Sequence, residues 1–200
     1  VLGFARPHTV HPWLFKADGA GTASAPAAQG IEVNFQAGRY PWQLIQYHWD
    51  AASQSYLRFQ FGGPDIDAKT KQQLAFKNVV VMQVSSEVVD DIGHVLLDQF
   101  GSGPVSVFLD GKQIQGTWKK ADRKSRTRFY DAQGQEIAFD RGATFVEAIG
   151  PQSSTTVTAT VGELPAIPPY VPPPSAPPTP DDETPTPTPG PPPSASPSPP

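Results

Sequence analysis

The stretch Gly101–Phe139, GSGPVSVFLDGKQIQGTWKKADRKSRTRFYDAQGQEIAF, decides how this chain folds. Val105, Val107 and Leu109 alternate before Asp110-Gly111, and an alternating segment from Lys112 to Trp118 follows it. An Asp-Gly pair tolerates positive φ at both central positions of a type I′ turn, whose twist suits a two-residue hairpin. A second turn, Asp131-Ala132-Gln133-Gly134, separates Arg128-Phe129-Tyr130 from Glu136-Ile137-Ala138-Phe139, so the antiparallel pattern continues. The stretch specifies a fold and names no reaction.

Working outward, short strands succeed one another. Ile31 to Phe35 alternates with period two, and Trp42–Asp50 and Ser55–Phe61 flank a hairpin connection at Ala51-Ala52-Ser53-Gln54. Gly62-Gly63-Pro64-Asp65 breaks the pattern, and Asp67 to Phe76 reads as a loop with one helical turn. The run Asn78 to Val84 is continuously apolar at its centre, as expected of a strand buried on both faces. His94–Phe100 and Thr144–Ile149 complete the set. The expected fold is mainly β (β-rich α+β), an antiparallel meander with hairpins over residues 31–150, followed by a disordered tail.

Composition supports one modest domain plus an unstructured part. Of 25 prolines, 19 lie from Pro151 onward, in Pro-Pro, Thr-Pro and Ser-Pro repeats that favour polyproline II or coil. Residues 151–200 are therefore expected to be a spacer, with Thr156–Thr160 able to add a short edge strand. Residues 1–17 read as the remnant of a preceding domain, and 18–30 (DGAGTASAPAAQG) as a flexible linker. The chain begins Val-Leu-Gly without a charged leader, as expected of a processed chain or the downstream part of a longer one. No stretch has the roughly 18 apolar residues of a membrane span.

The formal charge of −4 is carried by Glu163, Asp181, Asp182 and Glu183, leaving the folded part neutral and giving nucleic acid no support as a partner. Cysteine is absent, which excludes disulfides, thiol catalysis and thiolate metal sites. His8 and His11 are three apart, but Pro7 and Pro12 oppose a helix there and no further ligands accompany them. Asp65 and Asp67 form a carboxylate pair beside Gly62-Gly63-Pro64, too poor in oxygens for a calcium loop and better suited to capping a turn. Glu87, Asp90 and Asp91 read as an acidic loop. No nucleophile-elbow, phosphate-loop or zinc-protease motif is present, and no cofactor is expected.

The sharpest local feature is basic. Lys112, Lys119, Lys120, Arg123, Lys124, Arg126 and Arg128 are seven of the 15 Lys and Arg residues, with Asp122 as the one acid among them. Such a cluster on a neutral domain suits an anionic wall polymer or a membrane surface, or else keeps sheet edges solvated.

The chain also resembles the C-terminal domain of the YerB-like bacterial lipoproteins, a family of unknown function. The resemblance rests on Trp49-Asp50, Tyr56-Leu57-Arg58, Asp67, Asn78 to Val81, Gly101-Ser102-Gly103, Asp110-Gly111-Lys112, Gly116-Thr117-Trp118 and Thr127 to Asp131, in order and spacing, over about residues 31–150. Arg6-Pro7-His8 resembles the close of the family's N-terminal domain. Asp65 stands where the family often carries His, and the bulk of the N-terminal domain and the lipid-bearing cysteine do not occur here. The resemblance implies an extracytoplasmic envelope location and a binding or structural role. The alternative is a hydrolase acting on wall material, for which Arg58, Asp67 and Asn78 would have to meet in one pocket.

Overall fold

The computed structural model describes residues 12–35, 44–92, 94–167 and 169. His8, His11, the Arg6-Pro7-His8 motif, the Trp42 start of the second expected strand and the proline-rich segment from 170 lie outside these residues. Among the described residues the strands are, in chain order, β1 (Phe15–Lys16), β2 (Gly30–Asn34), β3 (Leu44–Asp50), β4 (Ser55–Gln60), β5 (Gly63–Pro64), β6 (Ala75–Phe76) and β7 (Asn78–Gln83). There follow β8 (Ser85–Val88), β9 (Val95–Asp98), β10 (Gly101–Leu109), β11 (Lys112–Lys120), β12 (Arg128–Asp131), β13 (Phe139–Asp140), β14 (Thr144–Ile149) and β15 (Ser154–Thr158). The fold is mainly β, and its one helical element among the described residues is a 3-10 turn at Val161–Glu163.

Asp110 and Gly111 have φ of 55° and 67°, the left-handed pair that a type I′ turn requires. That turn sets the register of the longest hairpin, from Leu109↔Lys112 to Gly101↔Lys120. Gly111 is required twice, because a Cβ there would also stand 3.0 Å from the Trp49 indole nitrogen. β10 and β11 belong to a five-stranded sheet of order β12-β11-β10-β7-β14. A second sheet, β15-β2-β3-β4-β5 with β6 on β4, packs against one face of the first. Ile31, Val33, Tyr47 and Tyr56 of the second sheet meet Val79, Val81, Phe108 and Ile149 of the first.

Alternate residues of the five-stranded sheet point the other way, and that face is covered too. Val80, Met82, Val107, Leu109 and Trp118 form a second core with Phe129, Ile137 and Phe139. β7 is therefore apolar at successive positions because both of its faces are dry. The Trp118 indole N–H donates to the Gln83 carbonyl at 2.8 Å, so the buried ring keeps its polar atom paired.

Two expectations need correction. The flexible linker is packed: Ala28 is fully buried, Ala27 bridges to Lys112, the Ala28 amide donates to the Gly111 carbonyl, and Thr22 is buried. Small residues are placed there by close approach to the Asp110 turn, not by a need for flexibility. Upstream, β1 pairs in parallel with β13, and the Trp13 ring lies 5.0 Å from Phe139 and 5.7 Å from Phe129. The start of the proline-rich part adds the edge strand expected near Thr156, since β15 pairs antiparallel with β2, Thr156 opposite Glu32. Asp67–Phe76 is a loop with a single helical turn, closed by an i→i+4 bond and not continued into a helix. Its backbone is tied by Asp67 N–H to Gln72 O and Lys71 N–H to Asp67 O, and β6 closes onto β4.

Apolar residues are almost absent after Val171. Truncation there is expected to leave the Tm unchanged within error, as read by calorimetry; a fall of more than a few degrees would show that the removed segment packs on the domain.

Candidate functional site

Two groups of ionisable side chains are enclosed by the sheets. In the first, the Lys16 ammonium lies 2.7 Å from Asp110 Oδ2 and 2.5 Å from Asp140 Oδ1. Asp110 also accepts from the Gly19 amide at 2.7 Å and the Thr22 hydroxyl at 3.0 Å. Burial alone would disfavour the charged ammonium, but the carboxylates of Asp110 and Asp140 overcome it and hold Lys16 above the usual lysine value. Burial likewise opposes ionisation of Asp110, yet its hydrogen bonds from Lys16, Gly19 and Thr22 bring it below the ordinary carboxyl value. Asp140, buried more deeply and facing Asp110, stays above it.

Asn78 completes this group as a backbone clamp. Its amide donates to the Asp140 carbonyl at 2.9 Å, and its side-chain oxygen accepts from the Asp140 amide at 2.9 Å. It also donates to the Thr144 hydroxyl at 3.1 Å. These bonds tie the start of β7 to β13 and to the start of β14, and explain why a polar residue is fully buried there.

In the second group, the Tyr47 hydroxyl donates to Glu147 Oε1 at 2.5 Å. Burial, reinforced by the Glu147 charge, pushes the Tyr47 phenol far up; burial raises the Glu147 carboxyl as well. Arg58 pairs with Asp65, donates to Gln60 Oε1 at 3.1 Å, and holds its guanidinium 5.3 Å from the Phe145 ring centre. Asp65 thus serves an ion pair where the family often has an imidazole. Asp67 stabilises its own turn, accepting from the Lys69 amide, the Thr70 amide and the Thr70 hydroxyl. Those bonds, Thr70's first, hold its carboxyl below the usual range.

Arg58, Asp67 and Asn78 are therefore each engaged in separate hydrogen bonds, with Arg58 and Asp67 on one sheet and Asn78 on the other. Among the described residues no three His, Cys, Asp or Glu gather as a metal site. A cleft of about 520 Å³ opens between β15 and the inner face of β10–β11. Gln83, Ser106, Gln113, Gln115, Ser154 and Thr155 give it hydroxyls and amides, and no titratable side chain lines it.

The basic cluster lies at the far end of the β10–β11 hairpin from the Asp110 turn, and in the loop that leads to β12. Asp122 organises that loop, its Oδ1 accepting from the amides of Lys124 and Ser125 and from the Ser125 hydroxyl. Arg123 and Lys124 are displayed on the outside of this turn. Arg126 lies 5.2 Å from the Trp13 ring, whose N–H is donated to the Thr127 carbonyl. Lys119 sits 5.1 Å from the Tyr130 ring and Lys120 5.6 Å from Phe100. Arg128 is the exception, bonded to Glu136 at 2.5 Å and to the Pro12 carbonyl. Lys112 stands apart, beside the Asp110 turn at the opposite end of the strand.

Sequence reasoning missed one exposed element. Ser85–Val88, expected as the start of an acidic loop, is a strand that pairs with β9, from Ser85↔Asp98 to Val88↔Val95. No Asn-Gly or Asp-Gly pair announces it: its connection is Val89-Asp90-Asp91-Ile92-Gly93-His94, and Asp90 accepts from the His94 amide.

Two sheets packed over one core, with the five-stranded one covered on its outer face by irregular segments, define a β-sandwich-like domain whose open surfaces are a polar cleft and a cationic edge. By its sequence it belongs to a defined family, as residues 31–146 match the C-terminal domain of a protein of unknown function, DUF3048. The chain is 24% identical over 121 residues to the "Putative lipoprotein YerB" of Bacillus subtilis (strain 168), covering 60% of this chain and 35% of that protein. The crystal structure of YerB from Bacillus subtilis has the same fold, with a TM-score of 0.58 and 21% identity, over 72% of this chain and 47% of that one. The chain thus spans between a third and a half of the relative's length. Among the described residues no helix is long and apolar enough to cross a membrane.

Proposed function

We propose that this chain is a non-catalytic binding module of the bacterial cell envelope, and that its cationic edge contacts a phosphate-bearing polyanion. One observation carries the reading: Lys119, Lys120, Arg123, Lys124 and Arg126 gather on one exposed edge, and among the described residues none has a carboxylate within ion-pair distance. Exposed cations without a carboxylate partner can meet phosphates with little desolvation cost. The Asp122 turn pre-orders Arg123 and Lys124, which lowers the entropy lost on binding. The envelope location follows the lipoprotein name of the relative. A hydrolase would need an acid or base facing an open site; here Glu147 is enclosed with Tyr47, and the open cleft carries no such group.

Salt-dependent retention on immobilised poly(glycerol phosphate) and on vesicles with and without phosphatidylglycerol tests the reading and separates its two sources of phosphate. The wild type is expected to bind at low salt and to release steeply as salt rises, as counterion release requires. At about 1 kcal/mol for each basic residue near an anionic surface, K119E/K120E/R123E/K124E is expected to lose two to three orders of magnitude in affinity. Its Tm should move by no more than a few degrees, because exposed charges contribute little to folding. Equal retention of wild type and variant on both matrices would leave the edge a solubilising surface only.

A further inference from the structure

The second sheet stops short of the first. β15 is its last strand, and among the described residues no strand pairs with its other edge. The phase of that edge follows from the ladder. The Trp49 amide donates to the Gln29 carbonyl, so Ile31 and Val33 turn their main-chain groups to β3, and Gly30, Glu32 and Asn34 turn theirs to β15. Ser154, Thr156 and Thr158 answer them, which leaves the N–H and C=O of Thr155 and Val157 facing outward. Other open edges are blunted: β5 is a two-residue strand with Pro64, β12 begins at Arg128 and ends at Asp131, and β14 turns Glu147 inward. β15, Ser-Thr-Thr-Val-Thr, has no charge and no proline. Beside it lies the cleft of about 520 Å³, floored where the first sheet runs on past the second. The rows of the first sheet pass from apolar to amide as they leave that cover, Val79-Phe108-Gln113 and Val81-Ser106-Gln115.

We propose that this cleft binds an extended peptide segment of another protein, which adds to β15 as a further strand. Thr155 and Val157 supply its main-chain hydrogen bonds, and its alternate side chains point down onto Ser106, Gln113 and Gln115. Those side chains are uncharged, because no titratable group lines the cleft to answer a charge. A second copy of this chain fits less well. Antiparallel pairing of two β15 edges puts both first sheets on one side, where the overhanging β11 and β12 of each would collide. A glycan also fits less well, because no aromatic ring lines the cleft for a sugar face to stack on. The site does not depend on the polyanion reading.

Selection of a phage-displayed library of short random peptides on the immobilised full chain supplies the probe, and the enriched peptide is then titrated as a synthetic acetylated amide. Its affinity is expected to be nearly independent of salt, unlike retention on poly(glycerol phosphate), so loss of either reading leaves the other standing. N-methylation of alternate peptide amides is expected to act by phase: one set abolishes binding and the other is tolerated. Thr155→Pro removes an outward N–H while leaving the β2 ladder intact, and is expected to weaken binding at least about tenfold. Gln115→Trp fills the cleft from the exposed side of β11 without touching β15, and is expected to weaken binding as much. Circular dichroism confirms that each variant is folded. No enriched peptide, or binding that ignores the N-methyl phase or survives Gln115→Trp, overturns the proposal. Binding of chitotetraose that is lost in Gln115→Trp, with no peptide enriched, overturns it in favour of a glycan.

Discussion

Val80→Asp is expected to abolish folding. Val80 is fully buried in the middle of β7, opposite Val107 of β10 and Val146 of β14, and its side chain enters the core that holds Trp118 and Phe139. Among the described residues that core is built of hydrophobic side chains, so the new carboxylate must either ionise in a dry core or stay protonated without a partner. Either state costs several kcal/mol, against the roughly 5–15 kcal/mol that holds a domain together. The variant should accumulate in the insoluble fraction and show no cooperative melt. Soluble protein melting within a few degrees of wild type would mean that β7 lies at an open edge and that the two-core architecture is wrong.

Lys16→Met is expected to be the next most damaging change, although Lys16 sits in a segment that reads as the remnant of another domain. Removing the ammonium leaves Asp110 and Asp140 facing one another with side chains almost fully enclosed. Breaking a buried pair by deleting one partner costs about 3–5 kcal/mol, a large share of total stability. The pH dependence separates this cause from loss of packing. In the wild type, the lowered Asp110 supplies stability above its unfolded value that is lost only as pH falls through the still lower folded value. In the variant both carboxyls rise above their unfolded values, so stability is present at acid pH and lost as pH climbs through the folded values. The gap in Tm between wild type and variant should therefore widen from about pH 4 to pH 7. A gap that is constant with pH would assign the loss to packing alone.

Much of the candidate surface is legible as composition. Seven cations within 17 positions announce a basic edge whatever the fold. Which of them are available is not legible, because Glu136 takes Arg128 across a turn and Lys112 is carried to the other end of β11. Asp65 and Asp67 divide the same way. Asp67 caps a turn within five residues of itself, a local event that residue type foretells. Asp65 pairs with Arg58 across the β4–β5 connection, which depends on how that connection folds back. The β8–β9 hairpin was hidden for a related reason: its apolar residues look outward, so no buried face imposes a pattern on the strand.

The sequence by itself determined the elements whose cause is local. Asp110-Gly111 dictates its own turn and, through it, the register of nine residue pairs. The unbroken apolar run of β7 states that both of its faces are covered. Only the tertiary structure decided what covers them. β14 joins β7 in parallel, and a parallel pair has no tight turn to announce it. The segment from Trp13 to Ala28 reads as a domain remnant running into a linker, because the Ala and Gly residues from Asp18 onward serve equally for flexibility and for close approach. What makes it part of the domain is a set of contacts with partners about 90 or more residues away, among them the Trp13 ring on Phe139 and Lys16 between Asp110 and Asp140. Those interactions have free energy only once the sheets have brought their partners within a few ångströms, and no local pattern can encode them.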